Sequence, residues 1–155
     1  MPEQDIATIA RTPHDAFNAR DFERVTPLIA PDAKWVDMAA GITYHGPSGF
    51  RQYQESWATA FPDARVDVRC VRTGADFAIV EFVGRGTHTG PLTTAVGMIP
   101  PTNRTGEAPF CEVYEIRDGK IVGGASYYDA ATIMRQLGLL PENAAHPLGE
   151  AEYAR

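Results

Sequence analysis

Apolar residues recur at helical spacing near the start of the chain and at alternate positions through most of the remainder, which predicts a helical N-terminal third followed by strands. Ile6, Ile9, Ala10 and Phe17 form one stripe, and Thr12-Pro13 either kinks that helix or restarts it. Phe22, Val25 and Leu28 suggest a short second helix with Pro27 disturbing its middle, Lys34 to Met38 a short strand, and Gly46 to Phe61 a third helix. From Arg65 to Arg72 the period falls to two, with Val66, Val68 and Cys70 opposite Asp67, Arg69 and Val71. Phe77 to Thr87 returns across Thr73 to Asp76, making a hairpin. Between Gly90 and Pro109 the density of Pro, Gly and Thr reads as a long loop or broken strand near a pocket mouth.

A second hairpin is the most informative stretch. Phe110 to Ile116 and Ile121 to Tyr128 flank Asp118-Gly119, a preferred pair for a type I′ turn. That turn sets Ile116 opposite Ile121, Tyr114 opposite Gly123, Glu112 opposite Ala125 and Phe110 opposite Tyr127, all on one face that Asp129 continues. From Asp129 the pattern turns helical through Ile133, Met134 and Leu137, with Gly138 in the C′ position before Pro141. Asp129 has two readings: the N-cap of that helix, or a carboxylate aimed into a hollow left by Gly123 and Ala125, where lost hydration would strengthen it as a base. The class is α+β.

Several motifs then resemble a known family. Asp118-Gly119-Lys120-Ile121-Val122, Asp129 and Gln136-Leu137-Gly138 are similar to the C-terminal signature of the SnoaL-like polyketide cyclases, in the nuclear transport factor 2-like superfamily. Ala30-Pro31-Asp32, Phe61-Pro62-Asp63, the run Gly86 to Gly90 and Pro100-Pro101-Thr102-Asn103-Arg104 agree in order and spacing. The resemblance covers roughly residues 5 to 141. It implies a cone, in which a strongly bent, mostly antiparallel sheet wraps around the N-terminal helices, and it implies a homodimer or homotetramer. Family members commonly carry Glu and Trp where this chain has Gly123 and Ala125, which suggests a wider or differently shaped cavity.

The resemblance also matches the family's acid-base carboxylate to Asp129. The implied reaction is a cofactor-free intramolecular aldol cyclisation of a polyketide or related β-dicarbonyl ester. In it Asp129 removes the activated proton and returns it to the new alkoxide, while His88, Tyr114 and then His45 supply hydrogen bonds to the enolate. Tyr127 flanks the same hollow. Glu112 shares the face, and a buried carboxylate needs a partner, for which Arg104 or Arg85 are candidates. Trp35, Asp37, Trp57 and Phe61 are plausible wall residues, and His14 can face the pocket beside Phe17, although a surface position is the commoner one for such a histidine. An isomerase, dehydratase or hydroxylase-type enzyme would share the cone, and so would a non-catalytic module that binds a hydrophobic ligand or dimerises.

Composition narrows the field. At 155 residues the chain fits one domain, placed at residues 1–141 with a polar tail at 142–155, and 44% hydrophobic residues is ordinary for a globular protein. The net charge of -6, with Lys34 and Lys120 the only lysines and the arginines scattered, argues against nucleic acid or an anionic membrane as partner. A small hydrophobic carbonyl compound is the expected partner. No basic leader precedes an apolar run, so the cytoplasm is the expected location. Cys70 and Cys111 read as small buried residues and not as a disulfide. His14, His45, His88 and His146 lack metal-binding spacing, and Gly84-Arg85-Gly86 misses the dinucleotide fingerprint, so neither metal nor cofactor is expected.

Overall fold

In a computed structural model, which describes residues 5–140, α1 runs unbroken from Ile6 to Ala19 with Pro13 inside it. The tail assigned to residues 142–155, and His146 with it, lie outside the described residues. Arg20 closes α1 in a left-handed conformation, its N–H bonded to the carbonyls of Ala16 and Phe17. The expected second helix is two single 3-10 turns, Phe22–Arg24 and Thr26–Leu28, because Pro27 removes the donor a continuous helix would need. There follow β1 (Ile29–Asp37), longer than expected, and β2 (Ile42–His45), which periodicity did not suggest. Next come α2 (Gly46–Ala60), β3 (Arg65–Thr73) and β4 (Phe77–Thr87). The Pro- and Gly-rich stretch contains a small hairpin of β5 (Leu92–Thr94) and β6 (Gly97–Ile99). It then enters β7 (Thr105–Arg117), which pairs with β8 (Lys120–Tyr128) before α3 (Ala130–Gln136).

Six strands form one sheet in the order β2-β1-β8-β7-β4-β3, antiparallel except for the parallel pair β1 and β8. A mostly antiparallel sheet can present one face to a core and the other to water, and here the first two helices cover the inner face. Ile9 and Ala10 of α1, Phe50 and Tyr53 of α2, and Trp35, Val80, Tyr114 and Ile121 of the sheet join in one buried cluster. Leu92, Ala108, Ile133 and Leu137 belong to a second, near α3. No helix among the described residues is long and apolar enough to cross a membrane.

Two β-bulges decide which side chains reach the interior. The Asp118-Gly119 turn forms as expected, with φ of 50° and 74°, and Ile116 does pair with Ile121. The register then slips by one between Glu115 and Ile116, so Tyr114 faces Gly124, Glu112 faces Ser126 and Phe110 faces Tyr128. Because strand side chains alternate, the slip turns Ser126 and Tyr128 inward in place of Ala125 and Tyr127. Gly124 carries the distortion at φ 153°, a backbone region that favours glycine. A bulge between Val68 and Cys70 likewise turns Val71 toward the core and leaves Cys70 outside, half-buried as Cys111 is, both flanking Glu81.

Candidate active site

Glu112 lies at the inner end of an apolar cavity and is 4% exposed. Burying a carboxylate without partners is prohibitive, and three side chains from three elements provide them. His14 of α1 bonds Oε1 through Nε2 at 2.9 Å, the Tyr114 hydroxyl of β7 donates to Oε1 at 2.7 Å, and the Tyr53 hydroxyl of α2 donates to Oε2 at 2.8 Å. Nδ1 of His14 lies 3.1 Å from the Ala10 carbonyl. A carbonyl only accepts, so Nδ1 carries hydrogen, and the Nε2 contact holds the second proton between imidazole and carboxylate. Burial pushes the Glu112 carboxyl up, but the hydrogen bond and charge of His14, with the bonds of Tyr114 and Tyr53, outweigh it and leave the group below its ordinary value. The cluster is therefore a buried carboxylate held by one imidazole and two phenol hydroxyls. Tyr53 and Tyr114 are held well above the usual phenol range by burial and then by the Glu112 charge.

Oε1 takes two of these bonds and Oε2 one, which leaves an acceptor position open on Oε2. Around it the cavity, about 80 Å³, is walled by Phe17, Phe50, Trp57, Phe61, Phe82 and Phe110 among others. Phe82 stacks on Phe110 at 5.0 Å and meets His14 edge-on at 4.7 Å, fixing the imidazole. The cavity can hold a flat apolar molecule against one carboxylate and the donors beside it. Among the described residues no group of three or more His, Cys, Asp or Glu is placed to hold a metal ion.

The model of the SnoaL-like polyketide cyclase family matches residues 7–137. The chain belongs to that family. Wild-type IdmH from Streptomyces antibioticus, a candidate polyketide cyclase, is 28% identical, with a TM-score of 0.71 over 87% of this chain and 99% of its own. TsrD from Streptomyces laurentii is 22% identical, with a TM-score of 0.75 over 89% of this chain and 100% of its own. AclR from Streptomyces galilaeus, a candidate hydroxylase, is 19% identical, with a TM-score of 0.72 over 87% and 85%. The last two share the fold alone, the bent-sheet cone of the nuclear transport factor 2-like superfamily. No curated protein matches the chain.

Against this SnoaL-like frame the anticipated base is not in the cavity. Asp129 is exposed and caps α3, accepting from the Thr132 N–H at 3.1 Å and the Thr132 hydroxyl at 2.6 Å. Those two bonds hold its carboxyl below the usual range, the reverse of what a dry base needs. The bulge explains the error, since every residue after it was assigned to the wrong face. Tyr127 falls for the same reason and is 46% exposed. The hollow expected at Gly123 and Ala125 is absent: Gly124 faces inward, and a Cβ there would meet Trp35 Cζ3 at 2.7 Å, so the Trp35 indole fills the space.

The other expected residues divide clearly. His14, Phe17, Trp57, Phe61 and Glu112 line the cavity, and Tyr114 supports Glu112 from behind. Glu112 is held by His14 and two tyrosines, not by Arg104 or Arg85. His45 is exposed where β2 enters α2, away from the cavity. His88 is fully buried, but outside the cavity lining, and its Nδ1 accepts from Thr102 N–H at 3.2 Å. Asp37 is buried and accepts from the Tyr128 hydroxyl at 2.8 Å and the Ala40 N–H at 3.0 Å. Burial holds its carboxyl above the ordinary value against those bonds. Tyr53 was missed, although Phe50, Tyr53, Gln54 and Trp57 stand at the spacing of one helix face, a signal available in the sequence.

Proposed function

We propose that the chain is a cofactor-independent cyclase that closes a ring in a β-dicarbonyl polyketide or related ester by intramolecular aldol addition, with Glu112 moving the proton. The observation that carries this reading is the buried carboxylate lining the cavity, with one acceptor position of Oε2 open beside the Tyr53 hydroxyl and the His14 imidazole. The Glu112 carboxylate takes the proton from the carbon between two carbonyls. The resulting enolate carbon bonds to a second carbonyl carbon of the same molecule, whose π electrons become an alkoxide. Protonated Glu112 then returns the proton to that oxygen, so the product is an isomer of the substrate and no co-reactant is consumed.

The low basicity of Glu112 supports this substrate class. Each pKa unit separating base and carbon acid costs about 1.4 kcal/mol, so a carboxylate held below its ordinary value suits a carbon acid activated by two carbonyls. When Glu112 takes up the proton on Oε2, the Tyr53 hydroxyl hydrogen is released from that oxygen and turns to the enolate oxygen in a water-poor site. The apolar walls accept the rest of the chain.

Conversion of a linear β-dicarbonyl polyketide ester to its ring product, followed by chromatography, tests the reading. The wild type is expected to accelerate closure, and Glu112→Gln, which keeps the shape and the tyrosine bonds, to lose about 10²- to 10⁴-fold in kcat. Equal turnover by both proteins would contradict it. Binding of the ester by both without turnover by either would make the cone a ligand-binding module.

A further inference from the structure

An amide in the cavity wall takes no part in the proton transfer. Helix α2 turns Phe50, Tyr53, Gln54 and Trp57 toward the cavity, and Gln54 is 5% exposed. Its Nε2 donates to the Pro13 carbonyl of α1 at 2.8 Å. A carbonyl only accepts, so the amide nitrogen is the end that meets Pro13 and the oxygen is the end left over. Oε1 is buried and, among the described residues, has no hydrogen-bond partner.

An amide oxygen shut away without a donor is costly, and the rest of the wall does not relieve it. The His14 nitrogens are engaged by Ala10 and Glu112, and the Tyr53 and Tyr114 hydroxyls by Glu112. The phenylalanines of the wall have no donor, and Arg65 and Arg85 at its mouth alternate to the outer face of the sheet. The amide is held by the same two helices that hold the base. Gln54 follows Tyr53 on α2 and reaches Pro13, which precedes His14 on α1, while Tyr53 and His14 themselves bond Glu112. The unused acceptor therefore adjoins the proton acceptor along the helix-lined wall.

We infer that Gln54 Oε1 is a subsite for a hydroxyl group, accepting a hydrogen bond from an O–H of the substrate while the activated carbon lies at Glu112. This rests on the cyclase reading and narrows its substrate to a β-dicarbonyl compound with a free hydroxyl close to the reacting carbon. Such a compound offers no other strong donor, since its remaining polar atoms are carbonyl and ester oxygens that only accept. The last torsion of a glutamine is broad, so a small turn presents Oε1 to the guest with Nε2 still on Pro13. A methyl ether or a deoxygenated analogue leaves the oxygen unpaired, and a site of this kind rejects such an analogue more strongly than an apolar pocket does.

Calorimetric binding to the Glu112→Gln protein reads this contact without turnover. The probes are methyl hydroxybenzoylacetates with the hydroxyl meta or para, the methyl ether of each, and unsubstituted methyl benzoylacetate. In at least one position the phenol is expected to bind about tenfold more tightly than its ether and than the unsubstituted ester. Adding Gln54→Leu, which keeps the size and removes the acceptor, should bring that ratio to one or below while the unsubstituted ester binds as before. Gln54→Met makes the same comparison should the leucine variant fail to fold. Equal binding of phenol, ether and unsubstituted ester by the glutamine-bearing protein, or a preference that survives both substitutions, would overturn the inference. An intact preference alongside a wild type that closes no ring would instead count against the cyclase reading.

Discussion

Glu112 has the environment that a proton-transferring carboxylate needs, and Asp129 does not. Glu112 is enclosed by donors and apolar walls, whereas Asp129 stands in water and binds the first turn of α3. Tyr53→Phe removes the single donor on Oε2 and with it a charge-assisted hydrogen bond of about 1.5–3 kcal/mol. Less support for the charged form raises the Glu112 pKa, so the acidic limb of the pH–rate profile should move to higher pH. A profile unchanged in position would show that Glu112 is not the titrating base. Asp129→Ala should cost about 1 kcal/mol of stability in urea titrations, as loss of an N-cap does, and leave turnover within about twofold of wild type.

At the scale of elements, most of the secondary structure was legible because hydrophobic period reports it directly. β4 began and ended where the alternation did, and the Asp118-Gly119 turn formed as its residues require. What could not be read was register. A bulge adds one residue with no compositional mark, and every side chain beyond it changes face, which moved Asp129 and Tyr127 out of the site and brought Ser126 and Tyr128 in. β2 was invisible because four residues are too few to show a period. His14, Phe17, Trp57, Phe61 and Glu112 were found because they precede the bulge or lie on other elements. The bulge gives its own prediction. Gly124→Ala would drive a Cβ into the Val113 carbonyl and against Trp35, and should destabilise by roughly 2–3 kcal/mol in chemical denaturation. A cost near zero would mean the slip is not locked there.

For the whole molecule, charge buried in the cone ties stability to pH. His88 is enclosed, and burial lowers its pKa from 6.5, so the folded protein keeps it neutral. Its contribution is full above the unfolded value and fades as pH falls below about 6.5, where the unfolded chain takes up the proton first. Glu112, also lowered, contributes above its unfolded value and loses that contribution further into acid. His88→Asn, which keeps an acceptor for the Thr102 N–H, should flatten the fall in melting temperature between pH 7 and pH 5. An identical fall in the variant would place the sensitivity elsewhere. The central claim concerns a single proton, and it is tested most directly by following exchange at the activated carbon of a β-keto ester in deuterated water by NMR. Wild type and Asp129→Asn should both speed that exchange, and Glu112→Gln should reduce it to the rate in buffer. Fast exchange with Glu112→Gln, or exchange lost with Asp129→Asn, would contradict the account.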